Sequence, residues 1–248
     1  MVEQFEVRWE GVLPAPAEAM WQAITERADG YLWPISYEPF VGGAERGLTV
    51  GGGTVTAWEP PRHFATRTRP ETERDGLNEL DYVLEPHGGV TLMRYRHRCE
   101  VPADELEVQL AACRAHTTFY HHSLGQYACF FAGRVPAYVS VDAPDASADG
   151  GFARVRRALG LAADVVAGDP VALRPDGLPA IDGVVDYATG SFLGLRTADA
   201  LLRVYGRDAW GWPVGVGLHL FADGVDAAAA EASWSAFLAG VFAPEAVA

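Results

Sequence analysis

Twice along this chain a run of short alternating strands leads into an amphipathic helix that carries aromatic residues. The first such helix is predicted over residues 104–132 and the second over 227–242. A shorter helix precedes each strand run, around Pro16–Ala28 and around Gly151–Leu159. Helix, strand run and closing helix, in that order, is what a curved antiparallel sheet with a long helix laid across it requires. The space between helix and sheet is then either packed core or a ligand cavity.

The local patterns support this α+β reading. Residues 5–12 read as a first strand, followed by PAPAEAMWQAITERADG with Pro at a helix start and Gly as a stop. Met20, Trp21 and Ile24 form the apolar face of that helix. FVGGAERG reads as a tight turn, and strands are expected at 53–59, 63–69, 78–85 and 90–100. In the last of these Met93, Tyr95, His97 and Cys99 share one face, while Leu92, Arg94, Arg96 and Arg98 share the other. The previous strand alternates in the same way, with Leu80, Tyr82 and Leu84 opposite Glu79 and Asp81. Acids and arginines on neighbouring strands pair across a solvent face, so the arginine stripe reads as solvated surface.

Within 104–132, Leu106, Leu110, Cys113, Thr117, Tyr120, Leu124, Tyr127 and Phe131 recur at alternating spacings of four and three, one stripe ending near Gly133. The segment VPAYVSVDAPDASADGG reads as a junction, which divides the chain into 1–134 and 135–248. Further strands are expected at 165–174, 181–187, 192–196, 200–205 and 213–221, the last buried on both faces. GGGTVTAWEPPRHFATRT (51–68) also aligns without a gap over AIDGVVDYATGSFLGLRT (180–197), placing Val55 on Val184 and Trp58 on Tyr187. Three identities in this stretch, together with the matching element order, suggest a diverged internal repeat.

The early strand, PAPAEAMWQAIT with its helix-borne Trp, FVGGAERG and VTAWEPPRHFATRT together resemble the START-like helix-grip superfamily. The Trp-Glu-Pro turn points to its Hsp ATPase activator homologue branch. The resemblance covers about residues 5–134. It implies a curved antiparallel sheet wrapped around a long C-terminal helix, with an internal apolar cavity. Members of the superfamily include lipid carriers, hormone receptors, polyketide cyclases and co-chaperone domains. A co-chaperone role is not established by any residue pattern here. The second half matches this pattern weakly in its glycine turn and first helix.

Composition narrows the function. A formal net charge of −14 disfavours nucleic acid and anionic membrane surfaces as partners. All 19 basic residues are Arg, so Schiff-base chemistry on Lys and a phosphate loop that needs Lys are excluded. Cys99, Cys113 and Cys129 show no close metal-ligand spacing. MVEQFEVRWEG has no signal-peptide pattern, and a cytoplasmic location is the default expectation.

The candidate site lies in the first half. His97 falls beside Met93 and Tyr95 on the inner face, where it fits a core histidine bonded to backbone, or a group that orients a ligand or acts as a base. Tyr82, Tyr95 and Tyr120, with Trp21, Trp33 and Trp58, are expected around the same cavity, and Thr117 and Leu124 face it from the helix. His116, His121 and His122 lack the spacing of a helical metal pair and read as boundary or surface residues. No nucleophile elbow or dinucleotide fingerprint is present. The expectation is a protein that binds a small, mostly apolar molecule under the 104–132 helix, with no catalytic residue, metal or cofactor assigned. The 227–242 helix is expected to close a packed core. A cyclase-like or hydrolytic enzyme using His97, and an interaction module that is co-chaperone-like or homo-oligomeric, are the alternatives.

Overall fold

A computed structural model describes residues 1–49, 51–68 and 77–243. The chain forms two compact units, Met1–Val135 and Pro136–Ala248. In the first, β1 (Val2–Leu13) and α1 (Ala17–Glu26) precede β2 (Ser36–Tyr37), β3 (Ala44–Arg46), β4 (Gly53–Glu59), β5 (His63–Thr68), β6 (Asn78–His87) and β7 (Val90–Pro102). The long helix α2 (Leu106–Phe130) closes the unit. Arg69, the last residue of the expected 63–69 strand, lies outside the described residues.

All neighbours in this sheet are antiparallel, and their order is β1-β7-β6-β5-β4-β3-β2. The first strand therefore pairs with the last, in register from Val2↔Pro102 to Leu13↔Thr91. The meander returns from there strand by strand, and α2 lies against β1 and β7. This is the helix-grip arrangement. Alternation sends Val7, Leu84 and Met93 into the core with Met20, Trp21 and Ile24 of α1. Pro16 stands just before α1, where its missing N–H costs nothing.

The outer face behaves as alternation predicts. Arg96 bonds Asp81 at 3.0 Å and Arg98 bonds Glu79 at 2.9 Å. Arg94 pairs with Glu10 at 2.8 Å and also with Glu85. The stripe is consumed by carboxylates from β1 and β6. Each such exposed pair contributes only about 0–1 kcal/mol.

The second unit contains β8 (Ala137–Asp142), α3 (Gly151–Ala158), β9 (Pro170–Leu173), β10 (Ile181–Ala188), β11 (Phe192–Arg196), β12 (Ala200–Tyr205), β13 (Gly215–Leu220) and α4 (Ala227–Val241). Its strand order, β8-β13-β12-β11-β10-β9, repeats that of the first unit with one strand fewer. Its core combines the sheet with Phe152, Val155 and Leu159 near α3 and with Trp234, Phe237 and Leu238 of α4. Leu218, His219 and Phe221 are all buried, as both faces of β13 were expected to be.

One detail recurs in both units. A β-bulge interrupts β4 between Val55 and Ala57, and another interrupts β10 between Val185 and Tyr187. In the first unit the Gly42 N–H donates to the Val55 carbonyl (2.9 Å) and the Val55 N–H donates to the Gly43 carbonyl (2.8 Å). In the second, Gly168 donates to Val185 (2.8 Å) and Val185 donates to Asp169 (2.9 Å). Gly42 and Gly168 have φ of 92° and 102°, a region where a side chain is strained. The structural equivalence is thus Val55 with Val185 and Ala57 with Tyr187. The ungapped alignment is one residue out along β10 because the second hairpin loop is a residue shorter than Pro60–Arg62.

The bulge in β10 has a local role. It places Asp186 where it accepts two bonds from the guanidinium of Arg203, each 2.8 Å, with side-chain exposures of 3% and 0%. Gly194, on the strand between them, leaves the passage open, since a Cβ there would lie 2.2 Å from Asp186 Oδ1. Removing one member of a buried pair strands the other charge. Asp186→Ala is therefore expected to cost about 3–5 kcal/mol in urea denaturation. A loss under about 1 kcal/mol would show that the pair is not desolvated as described.

Candidate functional site

Inside the first unit the β6, β7 and β1 registers align Tyr82 with Tyr95 and Tyr95 with Trp9. Rings then follow one another through the interior. Trp21 meets Trp58 at 5.0 Å and Trp58 meets Phe64 at 5.6 Å. Phe64 stacks on Tyr82 at 6.0 Å, and Tyr82 lies 4.8 Å from Tyr95. Tyr95 reaches both His97 (6.2 Å) and His121 (4.5 Å). The expected residues Trp21, Trp58, Tyr82, Tyr95 and His97 are thus brought into one chain of rings. Met93, Thr117 and Leu124 are buried on the facing sheet and helix. Trp33 and Tyr120 contact each other at 5.9 Å, and Trp33 spends its indole N–H on the Gly47 carbonyl.

His121 corrects an expectation. It was assigned to the helix boundary or surface, yet it is 3% exposed and lies 4.4 Å from the Trp9 ring. Thr117, His121, Leu124 and Ala128 follow spacings of four, three and four, so the helix carries His121 on its buried face. Its Nδ1 is buried without a hydrogen-bond partner. Trp9 was also missed. Its indole lies over Gly11, where a Cβ would stand 2.4 Å from the ring.

His97 is held by side chains, not by backbone. Its Nε2–H donates to Asn78 Oδ1 at 2.9 Å, with Cys99 Sγ 2.8 Å from the same nitrogen. Its Nδ1 faces Cys113 Sγ at 3.1 Å. The Asn78 carbonyl oxygen fixes the Nε2–H tautomer, leaving Nδ1 as an acceptor. The two sulfurs flank different ring nitrogens and so do not converge on one point. Accordingly, no group of three or more His, Cys, Asp or Glu among the described residues is placed to hold a metal ion.

Burial favours the neutral form of the histidines, thiols and tyrosines around this chain of rings. It lowers His97 to about 4 and His121 to about 3. It raises Cys113 to about 11, eased by the Thr117 hydroxyl and Arg114. Cys99 rises to about 12, through burial and then through Cys113. Tyr31, Tyr37 and Tyr95 are also pushed well above their ordinary value by burial, with Tyr82 adding to each. The interior presents neutral hydroxyls, imidazoles and thiols among aromatic faces.

The second unit holds a cavity of about 490 Å³ between its sheet and α4. Ile181, Leu202, Leu218 and Leu220 form one wall. Ala229, Ala230, Ser233 and Trp234 form the other, and Asp199 and Asp226 stand at the rim. This helix was expected mainly to close a packed core. Its second half does so through Phe237 and Leu238. Its first turn carries Ala227–Ala230, where Ala227 and Ala230 pack against that core and the small side chains of Ala229 and Ala230 border the cavity. Asp226 caps the helix by accepting from the Ala229 N–H at 3.0 Å.

The lowered histidines set a pH dependence. Folding moves His121 from 6.5 to about 3, so below pH 6.5 the unfolded chain takes up that proton first. Stability is complete above pH 6.5 and falls as the pH drops towards 3, by about 1.4 kcal/mol per pH unit for each such histidine. His97 adds the same trend down to about pH 4. His121→Phe should remove one proton from the slope of unfolding free energy against pH between 6.5 and 4.5. Parallel slopes for the variant and the parent chain would contradict the burial of His121 as a neutral ring.

No family model and no curated protein matches the chain. Solved structures similar to part of it include CalU16 from Micromonospora echinospora, 18% identical over 51% of this chain and 83% of that one, with a TM-score of 0.39. Protein MLL2253 from Mesorhizobium loti is 19% identical over 49% and 95%, with a TM-score of 0.42. The Aha1 dimer from Colwellia psychrerythraea is 18% identical over 50% and 96%, also with a TM-score of 0.42. Among the described residues no helix is long and apolar enough to cross a membrane.

Proposed function

We propose that the protein binds a small, mostly apolar molecule between a sheet and its closing helix. The observation that carries this reading is the cavity under α4. Its 490 Å³ falls in the range of small-molecule sites, and its lining is mostly aliphatic with a few polar groups. Covering apolar ligand surface there contributes about 25 cal/mol per Å². Asp199 and Asp226 at the rim select against anionic ligands such as fatty acid carboxylates, and favour neutral or cationic ones. We read the second unit as a diverged copy of the first, and the first as a member of the Hsp ATPase activator homologue branch on its Trp58-Glu59-Pro60 turn.

A second site under α2 is favoured by one specific observation, the unpartnered Nδ1 of buried His121. It faces an interior of neutral tyrosine hydroxyls suited to a ligand carbonyl or hydroxyl. Trp21, Trp58, Tyr82, Met93, Tyr95, His97, Thr117 and Leu124 would surround that ligand, with Trp33 and Tyr120 beside it.

Binding of the neutral fluorescent probe N-phenyl-1-naphthylamine tests the first site. Ala230→Leu fills the cavity from the helix side and should weaken the probe by about tenfold or more, while leaving stability unchanged or up to about 2 kcal/mol higher. Unaltered affinity in this variant would move the site elsewhere. Native mass spectrometry of freshly purified protein separates the two sites, because a ligand under α2 is retained by Ala230→Leu and lost from His121→Phe.

A further inference from the structure

Three side chains from three elements meet at one edge of the first unit's interior. Cys113 comes from α2, His97 from β7 and Asn78 from β6. The sulfur lies 3.1 Å from Nδ1 of the imidazole, whose opposite N–H donates to the Asn78 amide oxygen at 2.9 Å. This is the order of a nucleophile, a base and a group that orients the base. The same chemistry recurs on unrelated folds as Cys, His and Asn. Cys113 and His97 are each half-buried at this edge. The Tyr95 ring lies 6.2 Å from that of His97.

We propose that Cys113, with His97 as its base and Asn78 as the positioning residue, captures α,β-unsaturated carbonyl compounds by conjugate addition. The thiol sulfur forms a bond to the β-carbon of the acceptor, and the π electrons of the C=C bond pass to the α-carbon and carbonyl oxygen as an enolate. The thiol proton moves to His97 Nδ1 and then to the α-carbon. The product is a thioether; no group leaves, and no external oxidant or reductant is used. A hydroxyl such as that of Tyr95 donates to the carbonyl oxygen while the enolate forms. Conjugate addition asks for one nucleophile, one proton carrier and no leaving-group acid, and the constellation supplies those parts. The site is in the first unit and stands whether or not the cavity under α4 binds a ligand.

The thiol and the imidazole rest neutral, since burial disfavours either ion alone. The proton therefore moves as the C–S bond forms, and the reacting state is the neutral pair. Groups facing His97 are Asn78 on β6, Cys99 and Tyr95 on β7, and Cys113 on α2, with Arg114 adjacent to that thiol. His97 at about 4 and Cys113 at about 11 leave a window between about pH 5 and pH 10 in which neither changes charge.

N-ethylmaleimide, itself a conjugate acceptor, tests the proposal on the whole chain, with peptide mapping to resolve the three cysteines. Cys129 is the exposed thiol, with its Sγ–H directed to the Pro14 carbonyl at 3.6 Å, and serves as the reference. Cys113 should be labelled at least about tenfold faster than Cys129 at pH 6, at a rate that stays flat to pH 10. Cys129 should instead accelerate about tenfold per pH unit below its own pKa, as thiolate accumulates. His97→Gln should slow Cys113 by about tenfold or more and restore a thiolate-like rise with pH. Asn78→Ala should give a smaller loss with the flat profile kept. Labelling of Cys129 before Cys113 at pH 6, or a Cys113 rate that climbs with hydroxide in the parent protein, would overturn the assignment. The parent pH profile decides the question even if His97→Gln does not fold.

Discussion

The pairing of β1 with β7 is the constraint on which the first unit depends. Twelve residues of β1 run antiparallel to the strand most distant in the meander. Without that ladder, β2 to β7 would be an open sheet with no reason to curve over α2. With it, one set of alternate residues is enclosed and the other is turned to solvent. Arg94, Arg96 and Arg98 are thereby committed to carboxylates on β1 and β6, and Met93 and Tyr95 to the interior, with His97 half-buried on the same face. Enclosure takes much of the water away from the polar groups on the inner face. That desolvation keeps two histidines neutral and two thiols protonated.

Much of this architecture was legible because its signals are local. The period-two pattern of β6 and β7 fixed their faces without any tertiary information. Element ends were marked by the punctuation of Pro16, Gly42 and Gly133. His121 shows where residue type misled. Its spacing from Thr117 and Leu124 is that of a buried position, but an imidazole was weighed as a boundary residue. The two shortest strands, Ser36–Tyr37 and Ala44–Arg46, have no periodicity to read and follow from the turn between them.

The candidate sites were less legible because each depends on long-range register. Nothing in the spacing of positions 78, 97 and 113 announces a contact. The β6–β7 register sets Asn78 opposite Cys99 and Leu80 opposite His97, and α2 then brings Cys113 over the same edge. The cavity under α4 has a different origin. Ala227–Ala230 is an excellent helix-forming run, and the small side chains of Ala229 and Ala230 leave space beside the sheet.

The paired bulges have a consequence for how such a chain tolerates change. A bulge locked by a left-handed glycine acts as a register stop, since slipping the strand by one residue would break both of its bonds to the turn. Loop length on the far side of the hairpin is thereby uncoupled from the alignment of inner and outer faces. The one-residue difference between the two hairpin loops is absorbed without turning a single strand inside out. The segment from the turn glycine to the end of the following hairpin is in this sense an interchangeable part. It carries its own datum, and the side chains it presents, an aromatic wall in one unit and a buried ion pair in the other, vary freely around it.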